Sequence, residues 1–210
     1  MKTNLILNRA VLFCGLVFST FLLGCSGKIS PSLIPTLPGS AGQSVPAEPQ
    51  FTGPVTDFKL TCDEAQFVVL LNLYRVQNKL NAVAVSKNGV RAARWHTQDM
   101  IDKNYFSHTE PNGRDFSSRA GSFGYSAWAE NIAAGYSDAN GTFCQWKNSP
   151  GHNSNMLGSH QTIGLGRTAG GGTYGVYWCN NFGPSSGDEL SSPLTADANC
   201  PMPAALPNCG

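Results

Sequence analysis

The chain has 210 residues, room for one domain of ordinary size with extensions, and only 13% of them are charged. Its 14 Lys and Arg against 13 Asp and Glu give a formal net charge of +1. No basic cluster stands out, which speaks against nucleic acid as a partner.

The N-terminus reads as a targeting segment. Lys2 and Arg9 precede an apolar run from Ala10 to Leu23, interrupted only by Gly15, Ser19 and Thr20. That is the length of a signal h-region and short of the roughly 20 residues that span a bilayer. The run ends in Leu22-Leu23-Gly24-Cys25, which resembles the lipobox of bacterial lipoproteins. The resemblance implies cleavage before Cys25, acylation of its thiol, and membrane attachment without a spanning helix. An ordinary signal peptide or a short anchor helix with a chance cysteine is the alternative. Ser26 stands where an Asp would suggest inner-membrane retention in a Gram-negative cell. The implied location is therefore the extracytoplasmic cell envelope, and the outer membrane if the cell is Gram-negative.

Residues 25–57 hold the lipidated cysteine and then Pro31, Pro35, Pro38, Pro46, Pro49 and Pro54 among Ser, Gly and Thr, a composition that predicts a tether. The domain is expected over 58–184. Thr61 and Glu64 have the spacing of a capping box, opening a helix that is apolar over a broad girth and runs to about Leu80. Ser86 caps a second helix to about Asn104, with Val90, Ala93, Thr97, Met100 and Ile101 on its inner face. His96 lies within it and reads as a packed or surface imidazole rather than a ligand. Tyr105-Phe106-Ser107-His108 then turns into Pro111-Asn112-Gly113, a tight-turn signal. A short helical piece follows near Phe116–Ala120. Ala129–Gly135 is extended or looped, and 138–148 predicts a third helix. A fourth is expected with Ser149 as its cap and Pro150 in the first turn, which also places His152 there. Thr162–Arg167 and Tyr174–Asn180 read as strands joined by the glycine-rich turn at 170–172. Gly164 and Gly166 leave one strand face bare, which admits close approach of a helix or cleft wall. Residues 185–210 form an irregular tail containing Cys and Pro.

Beyond Cys25 the chain carries Cys62, Cys144, Cys179, Cys200 and Cys209. In an oxidising compartment these allow two disulfides and one thiol, and spacing does not choose the pairing. A Cys200–Cys209 bridge across the Pro-rich tail is one expectation.

Several signals fall in one order: Asn72-Leu73-Tyr74-Arg75, Tyr105-Phe106-Ser107-His108-Thr109, Ala129-Glu130-Asn131-Ile132-Ala133, Trp146 to His152 with Asn155-Met156-Leu157, and Ile163-Gly164-Leu165-Gly166 with Tyr177-Trp178. Together they resemble the CAP superfamily, also called SCP-like, whose relatives include cysteine-rich secretory and plant pathogenesis-related proteins. The resemblance covers roughly residues 62–184. It implies an α+β fold, a three-layer α-β-α sandwich with a small central antiparallel sheet. It also implies a cleft in which His108 and His152 match the two family histidines and Glu130 the acid of the Glu-Asn-Ile motif. The eukaryotic pattern has a further Glu after the tryptophan matching Trp146, and Ser149 stands there instead.

Two imidazoles and a carboxylate form a ligand set for zinc or another divalent cation, with a fourth position open to water. The three residues come from separate segments, with no His-x-x-x-His pair to preorganise them. Without a metal, Glu130 would hydrogen-bond a histidine and set its tautomer. His108, Glu130 and His152 are thus the candidate metal and catalytic residues, and Ser149 and Asn131 candidate cleft residues. No serine sits in a Gly-x-Ser-x-Gly elbow, so a nucleophile is missing. Three readings follow. The first is a lipid-anchored binding module for a small apolar or peptide-like ligand, some relatives binding sterols or lipids. The second is a metal-assisted hydrolase of peptides or envelope polymers, using Glu130 or metal-bound water. The third is a structural or adhesive envelope protein, its cleft merely a hub of mutually satisfied polar groups. The partners expected are the membrane, through Cys25, and a small ligand or envelope component.

Overall fold

The structure, a computed structural model, describes residues 58–192 and 194–210. The signal run, Cys25 and the tether lie outside the described residues. In chain order the elements are α1 (Cys62–Gln77), β1 (Ala84–Val85), α2 (Lys87–Asp102), α3 (Phe116–Ser122), β2 (Ala129–Ala134), α4 (Ala139–Lys147), α5 (Pro150–Met156), β3 (Thr162–Gly171) and β4 (Gly175–Gly183). No helix among the described residues is long and apolar enough to cross a membrane.

Caps define the helix starts. Thr61 and Glu64 form the reciprocal capping box of α1. Side chains of Ser86, Asp115 and Asp138 accept from the backbone amides of Gly89, Ser118 and Gly141. Each cap satisfies an amide that the first helical turn leaves without a partner. Ser149 precedes α5 but makes no such bond; Pro150 in the first turn has no N–H to satisfy.

The sheet runs β1-β3-β4-β2. The expected antiparallel core is present in β3–β4 and β4–β2, but β1 joins β3 in parallel, so the sheet is mixed. The parallel pair is possible because α1 and β1 precede the long excursion through α2–α5 that returns the chain to β3. The segment read as extended or looped is a full strand, β2, pairing Glu130 with Asn181 and Asn131 with Asn180. One face of the sheet is covered by α2 and α3, the other by α1, α4 and α5, giving the three layers. Phe67 of α1, Phe143 and Trp146 of α4, and Trp178 of β4 centre the larger core, with Phe67–Trp146 ring centroids 5.1 Å apart. Ala93 and Met100 of α2 meet Ile132, Tyr177 and Cys179 on the opposite face.

The tail is bound to the domain more firmly than its composition suggests. Cys200 pairs with Cys62 at the start of α1, and Cys209 with Cys144 of α4, so the expected Cys200–Cys209 bridge is not formed. The reason is packing: Leu190, Leu194 and Leu206 lie on the larger core and lead each tail cysteine to a helix. Asp188 also reaches back to Ser86 Oγ (2.8 Å) and the Asn88 amide (2.6 Å) at the start of α2. Cys179 alone stays a buried thiol among the described residues.

The bare strand face admits α2 as anticipated. A methyl group on Gly164 would overlap the Gly89 main chain, and one on Gly166 the main chain of Ala93 and Arg94. Gly164→Ala must push α2 off the sheet and should cost about 1–3 kcal/mol, as overpacking does. Gly151→Ala, whose new methyl meets nothing within 4 Å, serves as the control. Urea midpoints should fall for the first and stay near wild type for the second.

Candidate functional site

The polar cleft is assembled from the loop after α2, strand β2 and the start of α5. His108 Nδ1 lies 2.8 Å from Glu130 Oε1. The imidazole is half exposed, whereas the Glu130 side chain is 1% exposed. A carboxylate only accepts, so Nδ1 carries the proton and the lone pair of neutral His108 is on Nε2. His152 Nδ1 meets Ser149 Oγ at 2.9 Å, and its ring lies 6.2 Å from that of Trp146. His108 and His152 line one hollow of about 640 Å³, floored by Ile132, Ala133 and Ala134 of β2. Phe106, Tyr136 and Tyr174 border it, and these are three of the few large apolar side chains left exposed.

Glu130 stands behind His108 rather than in the hollow. Its other oxygen takes Nη2 of Arg119, which is itself fully buried, and the Cys179 thiol lies 3.4 Å away. Burial pushes the Glu130 carboxyl up, but the His108 hydrogen bond and the Arg119 charge outweigh it and hold the pKa below the usual carboxylate value. The Cys179 thiol is pushed far up, first by burial and then by the Glu130 charge. Burial, and after it the charge of His108, lowers His152.

Asn131 and Ser149 act on His152 without lining the hollow. Asn131 is buried, donates to the His152 carbonyl (3.1 Å) and accepts from Asn155 (2.8 Å). Ser149, without a capping bond, is left to hold the imidazole. His160 lies elsewhere, stacked on Phe182 with centroids 4.8 Å apart.

Both Glu130 oxygens have protein donors, and a guanidinium on the same carboxylate would repel a cation. The donor chemistry therefore fits a divalent ion at the imidazole Nε2 atoms, with Glu130 orienting His108 from behind. It does not fit direct ligation by Glu130. Among the described residues no group of three His, Cys, Asp or Glu side chains is arranged to hold a metal.

Arg119, and Tyr136, Gln145 and Tyr174 of the hollow's lining, were not singled out in the sequence. Nothing in Ser-Ser-Arg-Ala-Gly marks Arg119; only a buried Glu130 requires a counter-charge, and burial of that acid is not written in its own neighbours.

Residues 68–182 match the model of the CAP group, the cysteine-rich secretory protein family. The chain belongs to this family. Two Bacillus subtilis (strain 168) proteins are similar to part of the chain: the "uncharacterized protein YkwD", 34% identical over 122 residues, and the "uncharacterized membrane protein YlbC", 32% identical over 109. The matches cover 57% and 50% of this chain but only 46% and 32% of those proteins, so it spans less than half the length of either. An extracellular protein containing an SCP domain from Bacillus anthracis str. Ames superposes with TM-score 0.51 at 32% identity, over 59% of this chain and 40% of that one. An outer surface protein from Borrelia burgdorferi gives TM-score 0.51 at 19% identity, over 61% and 98%, and shares the fold.

His96, one helix behind the cleft, donates from Nε2 to the Ser107 carbonyl (3.1 Å). Burial, then the Arg119 charge, pushes its pKa down to about 3 from 6.5. Between these values the unfolded chain binds a proton that the native protein refuses, so stability should fall as pH drops from 6.5 toward 3. His152 and His160, also lowered, act in the same direction. The slope from His96 is at most about 1.4 kcal/mol per pH unit. Urea midpoints measured between pH 6.5 and 4.5 should decline in wild type and decline less in His96→Gln; equal slopes would contradict this.

Proposed function

We propose that this CAP-domain protein is an extracytoplasmic binding module whose hollow takes a small apolar or peptide-like ligand beside a divalent cation held by His108 and His152. The observation that carries the reading is the meeting of two imidazoles in one hollow of about 640 Å³ bordered by exposed Phe106, Tyr136 and Tyr174. Aromatic borders with a few polar groups beneath them are how proteins commonly recognise small ligands. Nε2 of each histidine would hold the ion, zinc being the natural choice for imidazole donors, and water would complete its shell. Bound there, the ion would supply Lewis acidity toward a carbonyl or carboxylate of the ligand. Glu130 keeps the His108 ring in place, Ser149 does so for His152, and the apolar floor excludes water from the ligand.

An extracytoplasmic location is supported by the two disulfides and by the extracellular and outer-surface descriptions of the structural relatives. Attachment through lipidated Cys25 rests on the Leu22–Cys25 sequence.

Calorimetric zinc titration of wild type and His108→Ala/His152→Ala tests the reading, alongside binding of an apolar fluorescent dye and turnover of a mixed peptide substrate. Wild type should bind one zinc, and the double variant, left without either imidazole ligand, should bind none there. Phe106→Ala/Tyr174→Ala should weaken dye binding and leave zinc unchanged. Peptide turnover lost in the histidine variant would replace this reading with a hydrolase. Absence of zinc and dye binding, with capture of envelope components unaffected by both variants, would replace it with a structural role.

A further inference from the structure

Arg119 is the largest charged group buried beside the cleft, and its contacts are not those of a simple counter-ion. Nη2 donates to Glu130 Oε2, while Nη1 lies 3.3 Å from the His108 carbonyl and 3.4 Å from Glu110 Oε1. One guanidinium therefore holds His108 at two points: its main chain directly, and its ring through Glu130. Glu110 is in turn paired with Arg114 Nε at 2.8 Å, so two carboxylates and two guanidiniums balance along this chain of contacts. On the neighbouring residue, His96 holds the Ser107 carbonyl from α2. Two consecutive carbonyls of the cleft loop are thus pinned by buried side chains from two different helices. A planar fork with donors fixed in direction can serve two anchor points at once, which an ammonium on a flexible stem cannot.

We propose that Arg119 is the positioning residue of the cleft, setting the Glu130 carboxylate and the His108 main chain so that the His108 ring is locked as the Nδ1–H tautomer with its Nε2 lone pair toward the hollow. This rests on the reading that His108 serves the cleft, but the tautomer is measurable without any ligand or metal, so the two can fail separately. Because Arg119 donates to the residue at position 130, it also dictates which end of an amide placed there faces His108. In Glu130→Gln the amide oxygen stays on Arg119 and the NH2 group faces the imidazole. His108 must then accept at Nδ1, and its proton moves to Nε2. In Arg119→Met/Glu130→Gln only the weak thiol donor of Cys179 is left at that end of the amide, and both tautomers become populated. The double change removes both buried charges together, which is tolerated far better than leaving one unpaired.

The test is the imidazole 15N spectrum of the full metal-free chain at about pH 8.5, two units above the ordinary histidine pKa. The expected order is Nδ1–H in wild type, Nε2–H in Glu130→Gln, and a mixture in the double variant. An Nε2–H signal in wild type would overturn the proposal, as would identical tautomer populations in Glu130→Gln and the double variant. If the double variant does not fold, Arg119→Lys decides. Keeping the charge while losing the fork should broaden or split the His108 signals, and an unchanged single Nδ1–H signal would overturn the proposal. A merely structural role for Arg119 would alter stability in these variants without changing which nitrogen holds the proton.

Discussion

The close approach of α2 to β3 constrains everything that follows in the chain. Gly164 and Gly166 leave no side chain between strand and helix, so the helix main chain rests directly on the strand. That contact sets the depth at which Ala93 and Met100 enter the smaller core and His96 is buried, along the helix that ends at Asp102. The loop carrying Phe106, Ser107 and His108 departs from there, and His96 reaches its Ser107 carbonyl from the buried side. A strand with ordinary side chains at 164 and 166 would move the helix outward and the loop with it.

Strand β2 does the complementary work. Adjacent residues of a strand point to opposite faces, and here the two faces serve the two histidines. Glu130 projects toward α2 and α3 and takes the His108 ring, and Asn131 projects toward α4 and α5 and holds the His152 carbonyl. Ile132, Ala133 and Ala134 then continue as the floor of the hollow. Two imidazoles far apart in sequence are thereby referred to one rigid segment of six residues. The strand can do this because it is fully paired with β4 along its length, leaving none of the play that a loop would have.

What the sequence disclosed, and what it withheld, follows the range of the interactions involved. The capping box at Thr61, the Ser86 cap and the bare glycine face are local patterns with one physical meaning each, and they were legible. The order of short motifs pointed to the CAP fold, and the matching family and the three layers bear that out. Long-range partnerships were not legible. Cys200 and Cys209 are near each other in sequence, yet their partners are set by where Leu190, Leu194 and Leu206 pack. Arg119 has meaning only beside a buried carboxylate contributed from another element. Asn131 adjoins Glu130 in sequence, but the alternation of the strand turns it to the opposite face, where it holds the His152 carbonyl from beneath instead of lining the hollow.

The meeting of His108 and His152 over β2 is most directly tested by crystals grown with zinc and measured at the zinc absorption edge. An anomalous peak should lie about 2.0–2.1 Å from Nε2 of both histidines, with Nδ1 of His108 still on Glu130. A peak bonded to the Glu130 carboxylate with Arg119 displaced, or a hollow without any peak at saturating zinc, would contradict it.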